Sequence, residues 1–160
     1  MGAEEIKEEK ERNEAKTGME LAARIEACFG EGQQDIRTYS PLTLAYIGDA
    51  IYDLVIRTLL VGRGNAPVNT LHRQASSMVK AEAQKASLRQ IEPLLTEEEQ
   101  SVYRRGRNAK SYTTAKNASV RDYRIATGFE ALLGYLYLTG QTERLLSLIK
   151  AGLDGASGDK

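Results

Sequence analysis

Two carboxylates stand in runs that are otherwise largely apolar. The first is Asp49, within Leu44-Ala45-Tyr46-Ile47-Gly48-Asp49-Ala50-Ile51-Tyr52-Asp53-Leu54-Val55-Ile56. On a helix turning about 100° per residue, Leu44, Ile47, Ile51, Leu54, Val55 and Thr58 gather on one side. Asp49 points away from that stripe, among Ala45, Tyr46, Tyr52, Asp53 and Ile56. A helix apolar nearly all round is ordinarily buried, so the pattern predicts Asp49 in the interior or in a cleft. A charge there needs a cation or hydrogen-bonding partners. The second acid is Glu130, the only charge between Ile125 and Leu138. Ile125, Phe129, Leu132 and Leu136 form the stripe and Glu130 lies off it. This run is too short to span a bilayer, so a core helix is expected.

Two such acids on two buried helices suit one hard cation. Mg²⁺ takes oxygen ligands, few of them from protein, and completes its octahedron with water and phosphate. A pair of buried acids satisfied by tyrosine hydroxyls or arginines gives the same pattern, and the residues alone leave both readings open. Asp53, one turn after Asp49, either supports such a site or edges the exposed side of its helix.

A second cluster offers positive charge. Arg104-Arg105-Gly106-Arg107-Asn108-Ala109-Lys110 continues through Ser111, Lys116, Asn117, Arg121 and Arg124, and residues 104–124 hold seven basic side chains against one acid, Asp122. Such a run presents charge and polar donors to phosphates, with Arg104, Arg105, Arg107, Asn108, Lys110, Lys116 and Asn117 as the nucleic-acid-binding candidates, and composition alone does not distinguish RNA from DNA. Its bland alternative is a solubilising loop. His72 and the tyrosines read as structural, and Cys28 has no catalytic role.

The elements that must position these groups are helices. Ser40 and Pro41 give an N-cap and first helical position for the Asp49 helix, expected to reach about Leu60. One helix is expected from about Leu71 to Ile91, capped by Asn69 or Thr70. Thr96 with Glu99 makes a capping box for a short helix to Arg105, and Arg107–Ser119 reads as a loop. The Glu130 helix ends at Gly140, and a last helix runs to about Lys150. No stretch shows convincing strand alternation, so the fold class is all-α.

The chain has 160 residues, enough for one domain with a real core. Its formal charge is zero, but residues 1–36 hold five basic and ten acidic side chains, against 17 and 12 in residues 37–160. This gives a charged N-terminal extension at 1–36, partly disordered or a short helix, a domain at 37–150 and a flexible tail at 151–160. One cysteine excludes an internal disulfide and multi-cysteine metal sites. With no leader and no transmembrane run, a cytoplasmic protein is expected.

Leu44-Ala45-Tyr46-Ile47-Gly48-Asp49-Ala50 resembles the signature helix of the ribonuclease III family. Thr127-Gly128-Phe129-Glu130-Ala131-Leu132-Leu133-Gly134 resembles its second acidic motif. With Arg-Gly-Arg-Asn-Ala-Lys at 105–110 and no double-stranded-RNA-binding domain, the chain is similar to the small bacterial branch that consists of the catalytic domain alone. The resemblance covers about Tyr39 to Leu148. It implies a helical endonuclease domain, a homodimer, and hydrolysis of double-stranded RNA that depends on Mg²⁺, with Mn²⁺ able to substitute. It also implies a role in maturation of large-subunit (23S) ribosomal RNA precursors, helped by a large-subunit ribosomal protein. Asp49 and Glu130 fall on metal-binding, catalytic acids of the family. Ala45 and Thr127 stand where the larger enzymes carry two further acids, so a leaner site is expected. The alternative is an RNA-binding adaptor without chemistry.

Overall fold

The computed structural model describes residues 2–17, 20–32, 34–110 and 119–158. Helices are the only regular elements among them: α1 (Ala3–Thr17), α2 (Leu21–Phe29), α3 (Pro41–Gly62), α4 (Val68–Val79), α5 (Ala81–Ile91), α6 (Glu97–Asn108), α7 (Val120–Leu138) and α8 (Thr142–Gly158), with 3₁₀ turns at Ile36–Thr38 and Glu92–Leu94. The all-α expectation holds.

Local chemistry sets several helix ends. Ser40 Oγ accepts the Thr43 amide at 3.1 Å, and Pro41 supplies a first-turn residue with no N–H to satisfy. Thr96 and Glu99 form the reciprocal capping box of α6, and Gly140, at φ 70°, closes α7. The Glu99 carboxylate also takes a bidentate pair from Arg144 on α8, at 2.8 and 2.9 Å. Glu99 is only 4% exposed, so this pairing compensates a desolvated charge.

α7 is the central helix. Phe129, Ala131, Leu132, Leu133 and Leu136 are fully buried, where α3, α5, α6 and α8 pack around it. Tyr52 meets Phe129 edge-on, ring centroids 5.3 Å apart. A helix apolar on nearly every side thus finds neighbours on nearly every side.

Three element boundaries differ from expectation. The single helix over 71–91 is two, broken at Lys80, whose backbone is extended (φ −63°, ψ 156°). No glycine or proline marks that break. The Val79 carbonyl at the end of α4 instead accepts the Gln84 side-chain amide at 2.8 Å. α6 continues past Arg105 to Asn108, because Gly106 lies under α7, where a Cβ would come 2.9 Å from the Gly128 Cα. α8 continues past Lys150 to Gly158, with Gly152 against Ser87 and Gly155 against Gln90 of α5. At the other end of the chain, residues 3–11 of α1 are exposed.

Candidate active site

The two acids meet where α3 and α7 cross. Gly48 and Gly134 let the two backbones touch: a Cβ at Gly48 would lie 1.7 Å from the Glu130 carbonyl oxygen, and one at Gly134 would lie 2.0 Å from the Leu44 carbonyl oxygen. Asp49 follows Gly48 directly, so the crossing sets it beside Glu130. The proximity is felt electrostatically. Burial is the main cause that pushes the Glu130 carboxyl up to about 7, the Asp49 charge adds to it, and a hydrogen bond from Gln84 opposes it.

The expectation for Asp49 needs correcting. The buried side of α3 runs through Leu44, Ala45, Gly48, Ile51, Tyr52, Ile56 and Leu60, whereas Asp49 is exposed, Tyr46 is 81% exposed and Leu54 52%. Asp49 therefore stands at the open edge of the crossing. Its surroundings still desolvate the carboxyl enough to raise its pKa, and the nearby Asp53 charge adds to this. Asp53 itself pairs with Arg57 at 2.9 Å. Glu130 is half-buried on the core helix.

Gln84 is a residue that sequence reasoning missed. It is 2% exposed, and its Nε2 donates to Glu130 Oε1 at 2.9 Å as well as to the Val79 carbonyl. One oxygen of the acid is thereby held in place from α5. The available signal was spacing: Gln84, Ser87, Leu88 and Ile91 are the buried residues of α5, the i, i+3, i+4, i+7 pattern of a core face with an amide in it.

The places of the two missing acids are closed. Ala45 is 6% exposed and Thr127 8%, and the Thr127 hydroxyl donates to the Tyr123 carbonyl at 2.9 Å. Among the described residues no cluster of three or more histidine, cysteine or acidic side chains could hold a metal ion. The carboxylates at the crossing are those of Asp49 and Glu130, with Asp53 close enough for its charge to act on Asp49.

The basic run divides in two. Arg104 and Arg105 lie on α6 as expected, and Arg107 and Asn108 lie on its last turn and not in a loop, since the capped helix extends to Asn108 and cations at its C-terminus complement its dipole. Arg104 and Arg105 border a groove with Pro41, Glu97 and Ser101. Arg107 turns the other way, 5.5 Å over the Tyr103 ring, toward α5 and α7. Asn108 touches both sides. Lys110 is exposed beyond the helix, and Lys116 and Asn117 lie outside the described residues.

Comparison with known proteins decides what this arrangement belongs to. Residues 42–141 match the model of the ribonuclease III domain, a span containing both acids and Gln84. The chain belongs to the ribonuclease III family. It is 53% identical over 118 residues to Mini-ribonuclease 3 of a Thermoanaerobacter species, covering 74% of this chain and 83% of the relative. It is 56% identical over 119 residues to Mini-ribonuclease 3 of Enterococcus faecalis, covering 72% and 89%. A crystal structure of a protein from Fusobacterium nucleatum superposes with a TM-score of 0.69 at 32% identity, covering 77% of this chain and 98% of that one. Family membership makes the protein an endoribonuclease of the ribonuclease III type, of the mini branch. No described helix is long and apolar enough to cross a membrane.

Proposed function

We propose that this endoribonuclease cleaves double-stranded RNA by Mg²⁺-dependent hydrolysis, with Asp49 and Glu130 as the metal-holding acids. It would act on large-subunit ribosomal RNA precursors in the cytoplasm, as a homodimer, with a large-subunit ribosomal protein as helper. The observation that carries the reading is the meeting of two carboxylates, both raised in pKa, at a backbone-to-backbone crossing within the ribonuclease III domain.

The residues fit a hard divalent ion. Both donors are carboxylate oxygens, their mutual repulsion is the kind a cation relieves, and Glu130 is too desolvated to remain ionised comfortably without one. Two protein carboxylates leave the remaining positions of an octahedron to water and phosphate. When bound, Mg²⁺ supplies Lewis acidity at the scissile phosphate and a nucleophile at neutral pH.

The protein's own part is positioning. Gln84 fixes one oxygen of Glu130, and the glycine crossing fixes the separation of the two helices. Arg104, Arg105 and Lys110 offer charge to the RNA backbone at the end of α6, where A-form RNA presents its phosphates and 2′-hydroxyls. Attack of water on phosphorus in line with the 3′ oxygen breaks the P–O3′ bond and leaves 3′-hydroxyl and 5′-phosphate ends. Two subunits would bring two such sites to opposite strands. The homodimer is supported by the exposed apolar side chains Leu42, Tyr46, Leu54 and Val61 on α3.

Cleavage of a long RNA duplex with Mg²⁺, with EDTA, and by Asp49→Asn and Glu130→Gln tests this. Turnover should fall on the order of 10²-fold or more in each variant, with duplex binding retained. The neutral residues at Ala45 and Thr127 favour the rival adaptor reading, and tight binding without Mg²⁺- or Mn²⁺-dependent cutting by the unaltered chain would establish it.

A further inference from the structure

Between α5, α6 and α7 lies a cavity of about 650 Å³ whose walls carry cations from all three helices. Lys85 and Arg89 come from α5, Arg107 from α6, Arg121 and Arg124 from α7. Glu92 is the one acid among the described lining residues, and Lys85 is paired with Asp122 at 2.9 Å. With both acids counted, the lining keeps a net charge of +3. Arg89, Arg121 and Arg124 are exposed, and Arg121 shares the charge of Asp122 with Lys85. The floor is apolar: Leu88 is 2% exposed and Tyr103 3%. Arg107 lies over that tyrosine, so the ring is covered and is no platform for a base.

A concave site with one sign of charge and low-dielectric walls focuses its field into the cavity. Guanidinium groups recognise phosphate oxygens in pairs. A net +3 exceeds what one phosphate neutralises, so the complementary ligand is a run of two or more linked phosphates. The cavity shares two helices, α5 and α7, with the candidate active site. Lys85 follows Gln84, the residue that holds Glu130, and Arg124 lies six residues before Glu130 on the same helix.

We propose that this cavity is a polyphosphate-binding pocket, occupied either by successive backbone phosphates of an RNA strand that continues away from the α3–α7 crossing or by the phosphate chain of a free nucleotide. Only the RNA source rests on the nuclease reading. The pocket's chemistry stands apart from it.

The test is titration calorimetry of the full chain with inorganic tripolyphosphate in EDTA. The unaltered protein and Arg63→Ala, altered far from the cavity, should bind it saturably. Arg89→Ala/Arg124→Ala, and separately Arg121→Ala, should weaken it by at least about 10-fold, with helical content unchanged by circular dichroism. Duplex RNA binding in a Glu130→Gln background then separates the sources. A parallel 10-fold loss in the arginine variants, with tripolyphosphate displacing the RNA, assigns the RNA strand. Unchanged RNA affinity assigns a free phosphate compound. Absent tripolyphosphate binding, or binding that survives in the variants, overturns the proposal. A protein that loses tripolyphosphate binding in the variants but never cuts RNA would keep the pocket and sink only the nuclease reading.

Discussion

Glu130 concentrates the residue-scale chemistry. Its carboxyl is raised from 4.5 to about 7, chiefly by burial, so ionising it works against the fold. That cost is absent below the unfolded value, grows as pH rises, and is complete above about 7. The metal-free protein should therefore lose stability between about pH 4.5 and 7, by up to about 3 kcal/mol, and Glu130→Gln should flatten the dependence. Urea unfolding in EDTA at pH 5 and pH 8 checks this. An equal drop in both proteins would rule Glu130 out as the source. Gln84→Leu deletes the hydrogen bond that favours the carboxylate, so Mn²⁺ binding by that variant should need a higher pH. Both acids were legible in the sequence because a carboxylate in a largely apolar run is conspicuous. Gln84 was not, since an amide in an alanine-rich helix resembles a surface residue until the neighbouring helix is in place.

At the scale of elements, the α3–α7 crossing is the strictest constraint. Gly48→Ala would drive a methyl group into the Glu130 carbonyl, which cannot move like a flexible side chain. Overpacking of this kind costs about 1–3 kcal/mol or more, and here it also parts the two acids. We expect Gly48→Ala to melt lower and to lose most Mg²⁺-dependent cleavage, whereas Gly62→Ala, with open space around it, should match the unaltered protein in both. Normal melting and cleavage by Gly48→Ala would mean the helices do not meet there. Helix ends governed by local chemistry, at Ser40-Pro41, Thr96 with Glu99, and Gly140, could be read from the sequence. The break at Lys80 and the true ends of α6 and α8 could not, because they depend on Gln84 reaching Val79, Gly106 lying under α7 and Gly152 lying on Ser87.

For the whole molecule, the exposed side of α3 matters most. Leu42, Tyr46, Leu54 and Val61 recur along it at helical spacing, 38%, 81%, 52% and 65% exposed, a row that a soluble chain would ordinarily cover. A two-fold dimer would pack this face on its own copy. Tyr46→Glu should shift the protein from dimer to monomer in light scattering without changing its helical content. A monomeric unaltered protein, or a variant that stays dimeric, would remove α3 from the interface. The sequence marked this helix as apolar nearly all round, whereas its exposed side also carries Thr43, Asp49, Arg57 and Thr58, and periodicity cannot tell a side that meets the core from one that awaits another molecule.

Asp49 stands at the border of that row, between Tyr46 and Asp53, and its solvent exposure in the single chain thereby acquires a meaning in terms of mass action. Association would withdraw water from the flank of a carboxylate proposed to hold the metal, so cation affinity and self-association draw on the same surface and must be linked. Enzyme concentration then becomes a control variable: turnover per chain should decline on dilution, and added Mg²⁺ should pull the dilute chains back together.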